Sequence, residues 1–300
     1  MDKILIVGPA SQILGLRIAQ ELGIESFDTE FKTFPDGENY LRINIEDENE
    51  IKGKEVIIVQ STGPSSNENQ NARLLELFMI IDSVKRMRAK KIIIIIPYLA
   101  YARQDKIFRP GESQFANLII RMIDSMGIDE LYIVDIHAPE VLKETFCKTI
   151  NIDSMKPLAE YIKSKGAKDI VVVAPDKGAI ERSKVFAKNF GKETPVDCFE
   201  KKRDVKTGEI TMEGKLSLKD KDVVISDDII ATGGTMATAI KLSKESGANK
   251  VYAVATHALL LQNAKYRILN AGADEIIGTD SIDNEAAKVS LAKTISDYLK

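Results

Sequence analysis

Short apolar runs alternate along this chain with longer stretches whose apolar positions recur three or four apart, the period of an amphipathic helix. "KILIVG" (3–8) predicts a strand and "SQILGLRIAQELG" (11–23) a helix closed by glycine. "EVIIVQ" (55–60) predicts a strand, residues 72–89 a long helix, and "KIIIIIPY" (91–98) a strand whose unbroken isoleucines mark it as buried on both faces. Residues 115–127 read as a helix and "ELYIVDIH" (130–137) as a strand. After residue 148 the rhythm restarts with helix "KPLAEYIKSKG", strand "DIVVVAP" (169–175), helix "AIERSKVFAKNFG" and strand "DVVISDD" (222–228). Helix "TMATAIKLSKESG", strands "KVYAVATHALL" and "DEIIGT", and a helix through "NEAAKVSLAKTISDYLK" complete the pattern. Strand–helix alternation predicts an α/β fold of mostly parallel sheets flanked by helices. Two rounds of it predict two domains of like architecture, at 1–148 and 149–283, with a C-terminal helix over 284–300.

Composition narrows the class. A chain of 300 residues that is 44% apolar can build two cores. Lys plus Arg (42) nearly balances Asp plus Glu (45), for a net charge of −3, which argues against a protein made to coat nucleic acid. Two cysteines, Cys147 and Cys198, without a CxxC pair, and two histidines without HExxH, indicate neither a disulfide framework nor a zinc site. The start "MDKILIVGPAS" does not read as a signal peptide, and no apolar run approaches the roughly 20 residues of a membrane helix. The expectation is a soluble cytoplasmic protein with neither nucleic acid nor membrane as partner.

Open parallel sheets bind ligands at the carboxyl ends of their strands, and here the strands empty into chemically capable loops. In "VISDDIIATGGT" (224–235), a Thr-Gly-Gly-Thr loop leading into a helix can turn backbone N–H groups around a phosphate. The adjacent carboxylates of Asp227 and Asp228 repel phosphate but suit sugar hydroxyls, or a hydrated magnesium ion. Phosphate beside polyol means a sugar phosphate; the plainer reading has the aspartates only capping a turn. "PDKGAIERS" (175–183) forms a second candidate anion turn, where Asp176 either serves the ligand or merely caps the helix. His137 ends a strand, as a ligand or as an ordinary hydrogen-bonding group, whereas His257 reads as structural. "YARQDK" places Arg103, Gln104 and Asp105 past the isoleucine strand, where an arginine fork can grip phosphate oxygens. "FPDGE" (34–38) is a β-turn bearing Phe34, Asp36 and Glu38. "EKKRD" (200–204) reads as an exposed hairpin of clustered positive charge, and "KRMRAKK" (85–91) as solvated charge.

Taken together and in this order, "FPDGE", "YARQDK", "DIHAPE", "PDKGAIERS", "KKRD" and "VISDDIIATGGT" resemble the signatures of ribose-phosphate diphosphokinase, the phosphoribosyl pyrophosphate synthetase family, with an archaeal-like stretch at "KIFRPGES". The last motif alone resembles the wider type I phosphoribosyltransferase superfamily. The resemblance runs from residue 3 to the C-terminal helix and implies two tandem phosphoribosyltransferase-like domains. It implies transfer of the β,γ-diphosphoryl group of ATP to O1 of ribose 5-phosphate, with Mg2+ as cofactor. By resemblance Phe34 stacks on adenine while Asp36 and Glu38 read its edge, on a hairpin lent by a neighbouring subunit of a homo-oligomer. Arg103, Gln104 and Asp105 then serve ATP; His137 and Asp176 contact the metal; and Asp176, Lys177, Gly178 and Ala179 form the diphosphate loop. Asp227 and Asp228 hold the ribose, and Ala231, Thr232, Gly233, Gly234 and Thr235 its 5-phosphate. Lys201 and Arg203 match a Lys-x-Arg pair on a mobile catalytic loop. A catalytically silent regulatory relative lacking that pair, or a base-transferring phosphoribosyltransferase with one such domain, is the alternative.

Overall fold

The computed structural model describes residues 2–65, 68–203, 210–213 and 217–300, the strands at 200–203 and 210–213 by backbone alone. The chain divides into two compact units. The first runs to Asp153 and takes back Asp280–Asp283 and Ser290–Lys300; the second comprises Ser154–Thr279 and Asn284–Val289.

The first unit is built from β1 (Lys3–Val7), α1 (Gln12–Leu22), β2 (Glu25–Phe27), β3 (Thr29–Thr33), β4 (Asn39–Ile43), β5 (Glu55–Val59), α2 (Gln70–Arg86), β6 (Lys91–Ile96), α3 (Phe115–Ser125), β7 (Glu130–Val134) and β8 (Lys148–Ile152). Six of these strands form one parallel sheet in the order β2-β1-β5-β6-β7-β8, and β3 and β4 pair separately as an antiparallel hairpin. Alternation along each strand sends side chains to opposite faces. Ile4, Ile6, Ile58, Ile92, Ile94 and Ile96 pack with the apolar stripes of α2 and α3, whereas Leu5, Val7, Ile57, Ile93 and Ile95 pack with α1. The five-isoleucine run therefore feeds both cores, as its lack of polar positions requires.

The second unit contains α4 (Met155–Ser164), β9 (Val171–Ala174), α5 (Ile180–Phe190), β10 (Val196–Cys198), β11 (Glu200–Arg203), β12 (Ile210–Glu213), β13 (Val223–Ile230), α6 (Gly234–Glu245), β14 (Val251–Ala258), α7 (Ala264–Asn270), β15 (Glu275–Thr279) and β16 (Ala287–Val289). Its parallel sheet has the order β10-β9-β13-β14-β15-β16. Strands β11 and β12 form an antiparallel hairpin, with Lys201 opposite Met212 and Arg203 opposite Ile210. From β9 the chain passes through α5 to the outer strand β10 and then returns to the other side of β9 as β13. This places a topological switch point, where open sheets bind ligands, between β9 and β13.

The boundaries differ from the sequence reading in two places. Residues 148–152 pair with β7 as β8, so the division falls after Asp153. Residues 284–300 are not one helix: Ala287–Val289 pairs with β15, and helix α8 begins only at Ala292 (Ala292–Leu299). That helix belongs to the first unit, where Leu291, Ile295 and Leu299 join the core beneath α1. Asp280 anchors the return, accepting from the Leu291 N–H (2.8 Å) and pairing with Arg17 (3.3 Å). Among the described residues no helix is long and apolar enough to cross a membrane.

Candidate active site

In the second unit the chemistry gathers at the β9/β13 switch point. Strand β13 does not stop at the aspartates but continues to Ile230, so Asp227 and Asp228 lie within it and project to opposite faces. Asp228 is only 4% exposed. Its Oδ2 faces Arg182 Nη1 at 3.2 Å and its Oδ1 accepts from the Ile229 N–H at 2.9 Å, so both oxygens are anchored. Asp227 is half-buried, and its Oδ1 accepts from the Asp228 N–H (2.8 Å). Burial first, and the negative charge of Asp228 second, push the Asp227 carboxyl up to about 8. Two neighbouring carboxylates in low dielectric resist holding full charge together; Arg182 pairs with Asp228, and the raised carboxyl is that of Asp227.

Beyond β13, Ala231–Gly233 turn into α6. Gly233 sits at φ 71°, a left-handed conformation that glycine adopts freely. The loop is pinned from behind: Leu261 N–H donates to the Ala231 carbonyl, Arg267 donates to the Thr232 carbonyl, and Ile268 and Ala264 of α7 back onto Gly233. With those carbonyls taken, the first-turn N–H groups of α6 are left for an anion. Thr232, Gly234 and Thr235 are exposed there.

The turn after β9 is occupied by its own carboxylate. Asp176 Oδ1 accepts from Gly178 N–H (2.8 Å) and Ala179 N–H (3.3 Å), capping the short turn that opens α5. An anion bound by those two N–H groups would have to displace the Asp176 side chain. Asp176, Lys177 and Gly178 are exposed and Ala179 is buried. The negative charge of Asp176 also acts on Asp227.

The remaining candidates lie in the first unit. The β3–β4 turn is closed by Phe34 N–H to the Glu38 carbonyl (2.7 Å) and Glu38 N–H to Asp36 Oδ1 (3.1 Å), with Gly37 at φ 92°. Phe34 is 42% exposed, edge-on to Tyr40, with Lys32 Nζ 5.3 Å from its ring centre. The turn after β6 holds exposed Arg103 and Gln104 and half-buried Asp105, fixed by Gln104 N–H to Tyr101 O, Ala116 N–H to Gln104 O, and Gln114 Nε2 to Asp105 O. His137 follows β7, exposed, after a buried Asp135 with φ 38°. The side chains of Lys201 and Arg203 lie outside the described residues; their backbone is in β11. Among the described residues no cluster of three or more His, Cys, Asp or Glu forms a ready-made metal cage.

Two residues escaped the sequence reading. Arg182 stands in the quoted motif "PDKGAIERS", next to Ser183, which begins the buried stripe Ser183–Phe186–Ala187 of α5. A charge beside a buried stripe is the signal that could have singled it out. Arg267 acts through a backbone carbonyl distant in sequence, which no local pattern reveals.

Family models match both halves of the chain. The family model for the N-terminal domain of ribose phosphate pyrophosphokinase matches residues 3–127, and that for the phosphoribosyl transferase domain matches residues 148–292. A ribose-phosphate pyrophosphokinase of Methanobrevibacter smithii is 38% identical over 99% of both chains. One from Sulfurisphaera tokodaii is 38% identical over 96% of each. The crystal structure of a phosphoribosylpyrophosphate synthetase from Mycobacterium smegmatis is 29% identical and superposes with a TM-score of 0.86, covering 100% of this chain and 98% of that one. With relatives at this identity spanning nearly its whole length, the chain belongs to the ribose-phosphate pyrophosphokinase family.

Proposed function

We propose that this pyrophosphokinase holds ribose 5-phosphate in its second unit, with Asp227 and Asp228 on the sugar hydroxyls and Ala231–Thr235 around the 5-phosphate. The observation that carries the reading is the β9/β13 switch point, where two turns suited to anions flank a pair of carboxylates suited to a polyol. One turn takes the sugar's phosphate. The other, Asp176–Ala179, takes the diphosphoryl group passing from ATP to O1. Phosphoryl-type transfer has a loose transition state, so the protein acts by positioning and by neutralising charge rather than by acid–base chemistry. Magnesium, bound with its substrates' phosphates, supplies part of that neutralisation. It takes oxygen ligands and keeps much of its water, which fits a single exposed carboxylate better than a closed cage. Asp176 is such a donor once the diphosphate frees it from Gly178 and Ala179; His137, which offers nitrogen, is proposed to contact the metal from the first unit through one of its waters. Phe34, Asp36, Glu38, Arg103, Gln104 and Asp105 are proposed for ATP.

The chain has no GxxxxGKS/T loop to grip β and γ phosphates for γ-transfer. With Mg-ATP and ribose 5-phosphate, phosphorus NMR should therefore show AMP formed one-for-one with a sugar carrying a diphosphate at C1. ADP with a sugar bisphosphate would overturn the reading.

The β3–β4 hairpin, paired apart from the main sheet and leaving Phe34 exposed at its turn, supports an adenine site shared between copies of the chain in a homo-oligomer. Lys201 and Arg203 are proposed to close on the transferred group. Lys201→Ala should lower turnover by about 10³-fold, the scale of arginine-finger losses. Mixed and reassembled with a Phe34→Ala chain, it should regain activity, because one intact site can form across the pair. Proven mixed oligomers without any recovery would refute the sharing.

A further inference from the structure

We propose that Arg182 is a positioning residue for ribose 5-phosphate, fixing Asp228 from the helix that opens at the diphosphate turn. Asp176 and Asp228 place negative charge at one sheet edge beside Asp227, yet the substrates proposed there are anions. A cation is needed that balances this charge without blocking the edge. Arg182 meets the need from the first turn of α5, and α5 packs against both β9 and β13. Its Nη1 lies 3.2 Å from Asp228 Oδ2, and the Ile229 N–H holds Oδ1 at 2.9 Å. The carboxylate plane of Asp228 is thus set from both ends. Ser183, the next residue, donates to the Ser226 carbonyl (3.2 Å) and so fixes the first turn of α5 against β13 two residues before Asp228. The same turn follows directly from Asp176–Ala179. The spacing of sugar site and diphosphate turn is therefore carried by one helical turn, with Arg182 as its electrostatic tie. A lysine keeps the charge but loses the planar fork.

The inference rests on the reading that Asp228 holds the sugar, so the test examines both residues. In the full-length protein, ribose 5-phosphate binding is measured by calorimetry, alongside KM for each substrate and the melting temperature. Arg182→Met should weaken ribose 5-phosphate binding and raise its KM by about tenfold or more, the scale of a lost charge-assisted hydrogen bond, with the KM for ATP nearly unchanged. Arg182→Lys should recover a large part of that loss. The double variant with Asp228→Asn should bind no worse than the weaker single variant, because both act through one carboxylate. Normal binding in Arg182→Met while Asp228→Asn is weakened would overturn the role of Arg182 alone. Normal binding in both would overturn the sugar-site reading itself. Additive losses, or parallel losses in ATP KM and melting temperature, would make Arg182 merely structural. If Arg182→Met does not fold, Arg182→Gln is judged by the same criteria.

Discussion

Asp227, proposed for the ribose, shows how a site residue can oppose the fold that carries it. Its carboxyl, raised to about 8 by burial and by Asp228, is protonated in the unliganded protein at neutral pH, whereas in the unfolded chain it ionises near its ordinary value of 3.8. The folded state therefore binds the extra proton, and the linkage sign follows: this residue costs no stability below about pH 4 and costs progressively more as pH rises toward 8. Asp227→Asn removes the titration. Without ligands, the variant's melting temperature relative to the parent should climb between pH 4.5 and pH 8.5. A difference that stays flat across that range would mean that Asp227 is ionised throughout. The pairing of the aspartates and the turn after them were legible in the sequence, where they read as suited to a polyol beside a phosphate. Their environment was not legible, because Arg182 reaches Asp228 across 46 positions of chain.

At the scale of elements, four of the strands that the apolar pattern missed share one property. β2, β8, β10 and β16 are the four edge strands of the two main sheets, and "ESF", "KTINI", "VDC" and "AKV" are short and partly polar because only one side of each is paired. The central strands, buried on both faces, could hardly be misread. The turn proposed for the 5-phosphate was likewise legible in composition, but its tightness is a matter of packing. An added Cβ at Gly233 would meet Ile268 Cδ1 at 3.0 Å and Ala264 Cβ at 3.3 Å, on a backbone at φ 71°. Left-handed backbone costs a non-glycine residue about 1–2 kcal/mol before any clash. Gly233→Ala should lower the melting temperature and raise the KM for ribose 5-phosphate, leaving the KM for ATP close to normal. Gly234 is its control: it has ordinary φ, nothing within 4 Å of an added Cβ, and a place in the first turn of α6, so alanine there should cost little stability. Equal destabilisation at the two positions would refute this account of the loop.

Across the whole molecule, two units of one topology have diverged in what fills their switch points. In the second unit the edge between β9 and β13 carries the carboxylates and the two turns proposed for anions. In the first, the corresponding edge between β1 and β5 is packed shut. Gln60 takes the space beside Gly8, accepts from the Ala10 N–H (3.1 Å) and donates to buried Glu76 (2.7 Å), which in turn pairs with Arg73 (2.9 Å). Ile282 fills the space beside Gly63, and Ser61 donates to the Ser281 carbonyl (2.8 Å). Two of those plugging residues come from the segment that returns from the second unit, and the return continues into α8. Nothing local in "NEAAKVSLAKTISDYLK" shows which core its apolar stripe enters, so the sequence reading left it as a separate helix. Its burial makes it part of the first unit: Ile295 is fully buried among Leu5, Ile57, Leu14 and Ile18. Truncating such a side chain costs about 2–5 kcal/mol through lost transfer energy and the cavity left behind. Ile295→Ala should therefore destabilise the first unit, and in a urea titration its spectroscopic transition should move to lower denaturant. Ribose 5-phosphate binding in the absence of denaturant should be unchanged, because every residue proposed for it lies in the second unit. Loss of that binding in a folded Ile295→Ala chain would show that the sugar site depends on the first unit's core, and a melt identical to the parent's would remove α8 from that core.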